Sequence, residues 1–133
     1  MSKFKPARFG NAAVNTVTGE LKISGSIVVK PITVTGNSDI PVDTSMVLCN
    51  NTSGNDFTLT LPDRADVRLG HVITFKDSAG TFAGFNAGRC IISGNVGIDN
   101  ASNKRLSDPY TSITICAATG SLWNTLSHYD GSF

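Results

Sequence analysis

A chain of 133 residues, 40% apolar and with a formal charge of +1, has the make-up of one globular domain. A disordered segment would be poorer in apolar residues or more highly charged, and two domains would need more chain. Ser, Thr and Asn make up roughly thirty per cent of the residues and Gly supplies 13 more, a mixture that suits short strands joined by many turns. Charge is uneven along the chain: through Ser38 five bases stand against Glu20 alone, +4, and from Asp39 onward six bases stand against nine acids, −3.

The leading segment, residues 1–13, carries Lys3, Lys5 and Arg8. No apolar h-region follows the basic start, so no signal peptide is expected, and synthesis in a cytoplasm is. A basic leader on an acidic body meets an acidic partner surface or is a solvated terminus. A β-hairpin is predicted around Thr18-Gly19, with Leu21-Lys22-Ile23 as one strand and Lys30-Pro31 as a bend or edge. We divide the chain at about residue 38: residues 1–38 as basic arm and hairpin, residues 39–133 as the β body.

From Met46 onward strands run to the C-terminus. Phe57-Thr58-Leu59-Thr60-Leu61 and Ser112-Ile113-Thr114-Ile115-Cys116 alternate strictly; Val72-Ile73-Thr74-Phe75 and Cys90-Ile91-Ile92 are further strands without strict alternation. Turn signals fall at Gly36-Asn37, Ser53-Gly54-Asn55, Ala79-Gly80, Gly94-Asn95 and Thr119-Gly120. Arg64 to Arg68 is long enough for one helical turn. The predicted fold is all-β, a compact sandwich or barrel-like module.

The residues that could carry chemistry read as architecture. His71 and His128 lack a nucleophile elbow or a Cys/His signature, so no enzyme is expected. Asp63 and Asp66 interleave with Arg64 and Arg68 as a solvated salt-bridge loop. Cys49, Cys90 and Cys116 are odd in number and lie in or beside apolar runs, which predicts buried reduced thiols with no metal or cofactor. The few bases show no aromatic interleaving, which argues against nucleic acid, and no apolar run is long enough to span a bilayer. The Gly-rich stretch from Gly80 to Gly88 lacks a phosphate-loop ending. Its Phe82 and Phe85 either anchor a neighbouring subunit, together with Lys3, Lys5 and Arg8 as partner-binding residues, or fold back over the core.

Residues 57–126 resemble a β module of bacteriophage tail fibres, tail spikes and other virion surface proteins. The resemblance rests on Phe57-Thr58-Leu59-Thr60-Leu61-Pro62, then Leu69-Gly70-His71-Val72-Ile73-Thr74-Phe75-Lys76-Asp77 and the turn through Gly80. Ile98-Asp99-Asn100, Tyr110 to Ile115, and Gly120-Ser121-Leu122-Trp123 follow in the same order. His71 replaces the family's usual Arg, and Asn100 its usual Gly, where Asn still tolerates a left-handed turn. Pro62 ends its strand, Gly70 and Gly80 allow tight backbone angles, Lys76-Asp77 closes a strand with charge, and Trp123 is expected in the core or at a subunit seam. The resemblance implies a virion structural protein that forms a homo-oligomer, a trimer, and binds a major capsid protein or another virion protein. The shortness of the chain favours a capsid decoration protein tying coat subunits together. A tail-fibre or tail-tip subunit binding a host receptor is the alternative.

Overall fold

Alternation at period two builds the body of the molecule. The computed structural model describes residues 19–20, 22–82 and 88–130. Within them nine strands form one sheet: β1 Ile32–Val34, β2 Ser38–Asp39, β3 Met46–Cys49, β4 Phe57–Thr60, β5 Val72–Asp77, β6 Cys90–Ile98, β7 Ala101–Leu106, β8 Ser112–Ala118 and β9 Leu122–Tyr129. In β4 the rings and branches of Phe57 and Leu59 go inward while Thr60 stays exposed. β8 alternates the same way, with Ile113, Ile115 and Ala117 buried. Each fully buried Ile, Leu or Phe contributes about 1.5–3 kcal/mol of transfer free energy, so the inward row of each strand selects its face.

The strand order is β1-β3-β5-β8-β9-β6-β4-β2, with β7 added to β6. β1, β3 and β5 run parallel to one another, as do β2, β4 and β6. β8 is antiparallel to both β5 and β9. As far as β6 the chain alternates between two wings, β1-β3-β5 and β6-β4-β2, laying each new strand beside the one before last; β7 then folds back on β6, and β8 and β9 extend the first wing to β1-β3-β5-β8-β9. β1 and β2 stand at opposite ends of the strand order, yet Thr35-Gly36-Asn37 alone joins them. Four Cα steps span at most about 14 Å, so the sheet has to curl until its ends nearly meet. The result is an all-β, nearly closed barrel. At the other junction β6 meets β9 through one pair, Ile98 with Trp123, reinforced by the Asp99 amide donating to the Trp123 carbonyl.

Some local expectations fall outside the described residues, some are corrected and some hold. Leu21 lies outside the described residues, and Lys22 and Ile23 carry no strand; the hairpin predicted at Thr18-Gly19 likewise falls mainly outside them. Two strands, β1 and β2, enter the sheet ahead of or at the division drawn at residue 38. Gly94-Asn95 does not reverse the chain: both residues lie inside β6, where the register to β7 shifts between Ser93 and Ile98. The reversal comes at Asp99-Asn100, and the left-handed residue is Asp99 (φ 54°), not Asn100. Lys76-Asp77 does close its strand, β5, but it protects no edge, because β5 is flanked on both sides and Asp77 is fully buried. Gly70 and Gly80 do adopt positive φ, 88° and 68°. One 3-10 turn, Arg64–Asp66, occupies the stretch expected to make a single helical turn.

Candidate interaction surface

Two clusters tie the loops to the barrel, and a third lies within its core. Asp77 ends β5 with its carboxylate inside the fold, where it accepts from the Thr81 amide (3.0 Å) and hydroxyl (3.2 Å), the Phe82 amide (3.1 Å) and the Tyr110 amide (3.0 Å). Four donors offset the desolvation of a buried charge. The Thr81 hydroxyl also accepts from the Asn51 amide at 2.7 Å, so one side chain fixes three loops at the same end of the barrel.

Arg64 makes the second cluster. The expected solvated salt-bridge loop is overturned: Arg64 is 6% exposed, and its guanidinium donates to the carbonyls of Leu122, Val67 and Ala118. It also lies 5.8 Å from the Trp123 ring centroid. Three carbonyl dipoles and an aromatic face replace the water that a charged group would otherwise need. Asp63 caps the 3-10 turn by accepting from the Ala65 amide (3.0 Å), and Asn95 donates to the same carboxylate (2.9 Å). Trp123 is fully buried under this lid, and its indole N–H has no acceptor among the described residues.

The third cluster is the pair Cys49 and Cys90, both free and fully buried. A hydrogen bond with Cys49, followed by burial, pushes the Cys90 thiol far above its ordinary range, which makes it a poor nucleophile. Cys116 is free and half-buried. Among the described residues no group of three or more His, Cys, Asp or Glu is placed to hold a metal, and no helix is long and apolar enough to cross a membrane.

The residues expected to bind a partner divide. Lys3, Lys5, Arg8 and Phe85 lie outside the described residues. Phe82 is not a surface anchor of this chain: it is 1% exposed and packs against Phe57 with ring centroids 6.0 Å apart. The hydrogen bond from its amide to Asp77 holds it inward, so of its two readings the one that places Phe82 on the core holds.

Exposed apolar side chains gather elsewhere. β1, β3, β5 and β9 all begin at one end of the first wing, and β8 ends there. At this base Val42, Leu69, Val72 and Leu122 are 47%, 65%, 38% and 43% exposed. Beside them runs a groove of about 310 Å³ lined by Val42, Asp43, Asp66, Val67, Arg68 and His71. His71 is half-buried, and its Nε2 donates to the Thr44 carbonyl at 2.6 Å, tying the segment before β3 to the start of β5. Two valines, two carboxylates, a guanidinium and an imidazole make a surface able to take up a partner's mixed apolar and polar side chains. The chain ahead of Ile32 joins the sheet at this same end. At the opposite end Lys76 lies 5.8 Å and 5.7 Å from the ring centroids of Tyr110 and Tyr129, both about half exposed, and its ammonium donates to the Tyr110 carbonyl.

Sequence reading missed the base. Val42 and Leu69 stand in links between strands, and Val72 and Leu122 are the first residues of β5 and β9, where a lone apolar residue carries no periodic signal. Compared with known proteins, the chain matches no family model and no curated protein.

Proposed function

We propose that this chain is a non-enzymatic structural protein of a bacteriophage particle, a decoration protein that binds the outer shell and ties coat subunits together as a homo-oligomer. The observation that carries the reading is the base of the barrel. Four exposed apolar side chains stand beside a groove of mixed charge, at the end where residues 22–31 lead into β1. A contiguous apolar patch rimmed by polar groups is characteristic of a protein–protein contact. Docking on the assembled shell and not on free coat subunits stabilises the shell by mass action. The phage resemblance of residues 57–126 supplies the biological setting: made in the host cytoplasm, resident in the virion.

A second reading, a tail-fibre or tail-tip subunit that binds a host receptor, is favoured by the opposite end. Exposed Tyr110 and Tyr129 flanking Lys76 offer aromatic faces and a cation of the kind that recognises a cell-surface ligand. Cryo-electron microscopy of the parent virion separates the two. Icosahedrally repeated density with the base turned toward the coat supports decoration. Density confined to the tail overturns it and turns attention to the tyrosines.

A further inference from the structure

Residues 22–30, Lys-Ile-Ser-Gly-Ser-Ile-Val-Val-Lys, lead into β1 with no regular structure. Ile27, Val28 and Val29 are 71%, 88% and 43% exposed. No backbone group of residues 23–30 is hydrogen-bonded to another described residue. β-branched residues favour strands, and an extended apolar segment with its backbone groups unpaired is an incomplete ladder. The segment therefore has the chemistry of a strand without a sheet.

A matching vacant edge lies on the other side of the same wing. β9 is paired to β8 from Leu122 to Tyr129, with a register shift at Leu126, but it meets β6 only at Trp123, and Asp99 then occupies the amide of Thr125. From Leu126 to Tyr129 the second edge has no ladder partner among the described residues. Leu126 and Tyr129 beside it are 58% and 48% exposed. The remaining edges are poorer acceptors. β7 carries Lys104 and Arg105, the charges that blunt an edge, and would also repel Lys22 and Lys30. β1 and β2 are three and two residues long.

Donor and acceptor stand at opposite edges of the wing β1-β3-β5-β8-β9. Four strand spacings, about 19 Å, separate them within one copy. Identical copies placed edge to edge bring the arm of each onto β9 of the next, a head-to-tail contact that makes a ring where its rotation closes and an open array where it does not. We propose that residues 26–30 of one copy add as a strand to the Leu126–Tyr129 edge of a second copy, the β-branched side chains covering Leu126 and Tyr129. This deepens the homo-oligomeric reading above and rests on it, but it does not depend on where the particle carries the protein.

Sedimentation velocity on the full chain, Val28→Asp, Leu126→Lys and their equimolar mixture tests the exchange. The wild type is expected to be an oligomer, and each variant a monomer with self-association weakened about tenfold or more. The mixture should form a 1:1 dimer, because the Leu126→Lys copy still has an intact arm and the Val28→Asp copy an intact edge. Both sites are exposed, so circular dichroism and thermal midpoints should match wild type; should Val28→Asp misfold, Val28→Ser repeats the donor test. A monomeric wild type overturns the homo-oligomer together with the exchange. Variants that keep the wild-type oligomer, or a mixture that stays monomeric, overturn the exchange alone.

Discussion

Arg64 and Asp77 are the two charged side chains most deeply committed to the fold, and they are satisfied in different ways. Arg64 has carbonyls and an indole around it; Asp77 has three amides and a hydroxyl. Arg64→Ala leaves three carbonyls short of a donor and unroofs Trp123, so it should destabilise by about 3 kcal/mol or more, read from the urea midpoint and slope. Asp77→Asn keeps the shape but turns an amide NH₂ toward two of the four donors. An expected loss of about 2–4 kcal/mol would come with faster hydrogen exchange at Thr81 and Tyr110. Nearer the surface, Asp56 is drawn from its ordinary 3.8 to about 2 by hydrogen bonds from Arg89. Asp99 falls from 3.8 to about 2 through the Thr125 amide first and Lys104 next. Depressed carboxylates contribute stability above their unfolded value and lose it as pH falls toward the folded one. The thermal midpoint should therefore drop as pH falls from about 4 to about 2, and Asp56→Asn with Asp99→Asn should flatten that part of the slope.

At the scale of elements, turns and strand ends decide more than strand interiors do. Gly80 holds φ at 68°, and a Cβ built there would stand 2.5 Å from the Tyr110 ring. Tyr110 is itself left-handed, φ 62°, with its amide on Asp77. Gly80→Ala thus strains the backbone and displaces the ring. A loss of about 1–3 kcal/mol is expected, with a changed tyrosine near-UV signal; an unchanged midpoint would refute the contact. The interiors of β4 and β8 were legible because Phe57-Thr-Leu and Ile113-Thr-Ile write the buried face directly into the chain. β7 was not, since Ser102-Asn103-Lys104-Arg105 carries no apolar row and Leu106 alone is buried there. Gly94-Asn95 reads as a turn locally, yet tertiary pairing holds it within β6 as an irregularity. Phe82 shows the same limit: a Phe in a Gly-rich loop is equally suited to surface or core, and the Asp77 carboxylate across the loop decides between them.

For the whole molecule, the base and the arm answer different questions. Leu69→Lys combined with Val72→Lys changes exposed residues, so the thermal midpoint should hold. Retention of the protein on purified virions should fall by about tenfold or more, measured by quantifying bound copies after sedimentation. Unaltered retention would mean that the base is not the particle-binding face. The arm variants should alter the oligomer first, and retention only through lost avidity.

What the amino-acid sequence determined by itself is whatever a strand of a few residues can encode. It carries the all-β class, the inward rows of the main strands, the left-handed glycines at 70 and 80, and one 3-10 turn. These depend on neighbours along the chain. The parallel winding of two wings, the closure through Thr35-Gly36-Asn37, the inward turn of Arg64 and the apolar base were decided only in three dimensions. Each depends on residues brought together from distant parts of the chain: Arg64 with Leu122 across 58 residues, Asp77 with Tyr110 across 33. Local periodicity specifies which face of a strand is buried. Only packing specifies what it is buried against.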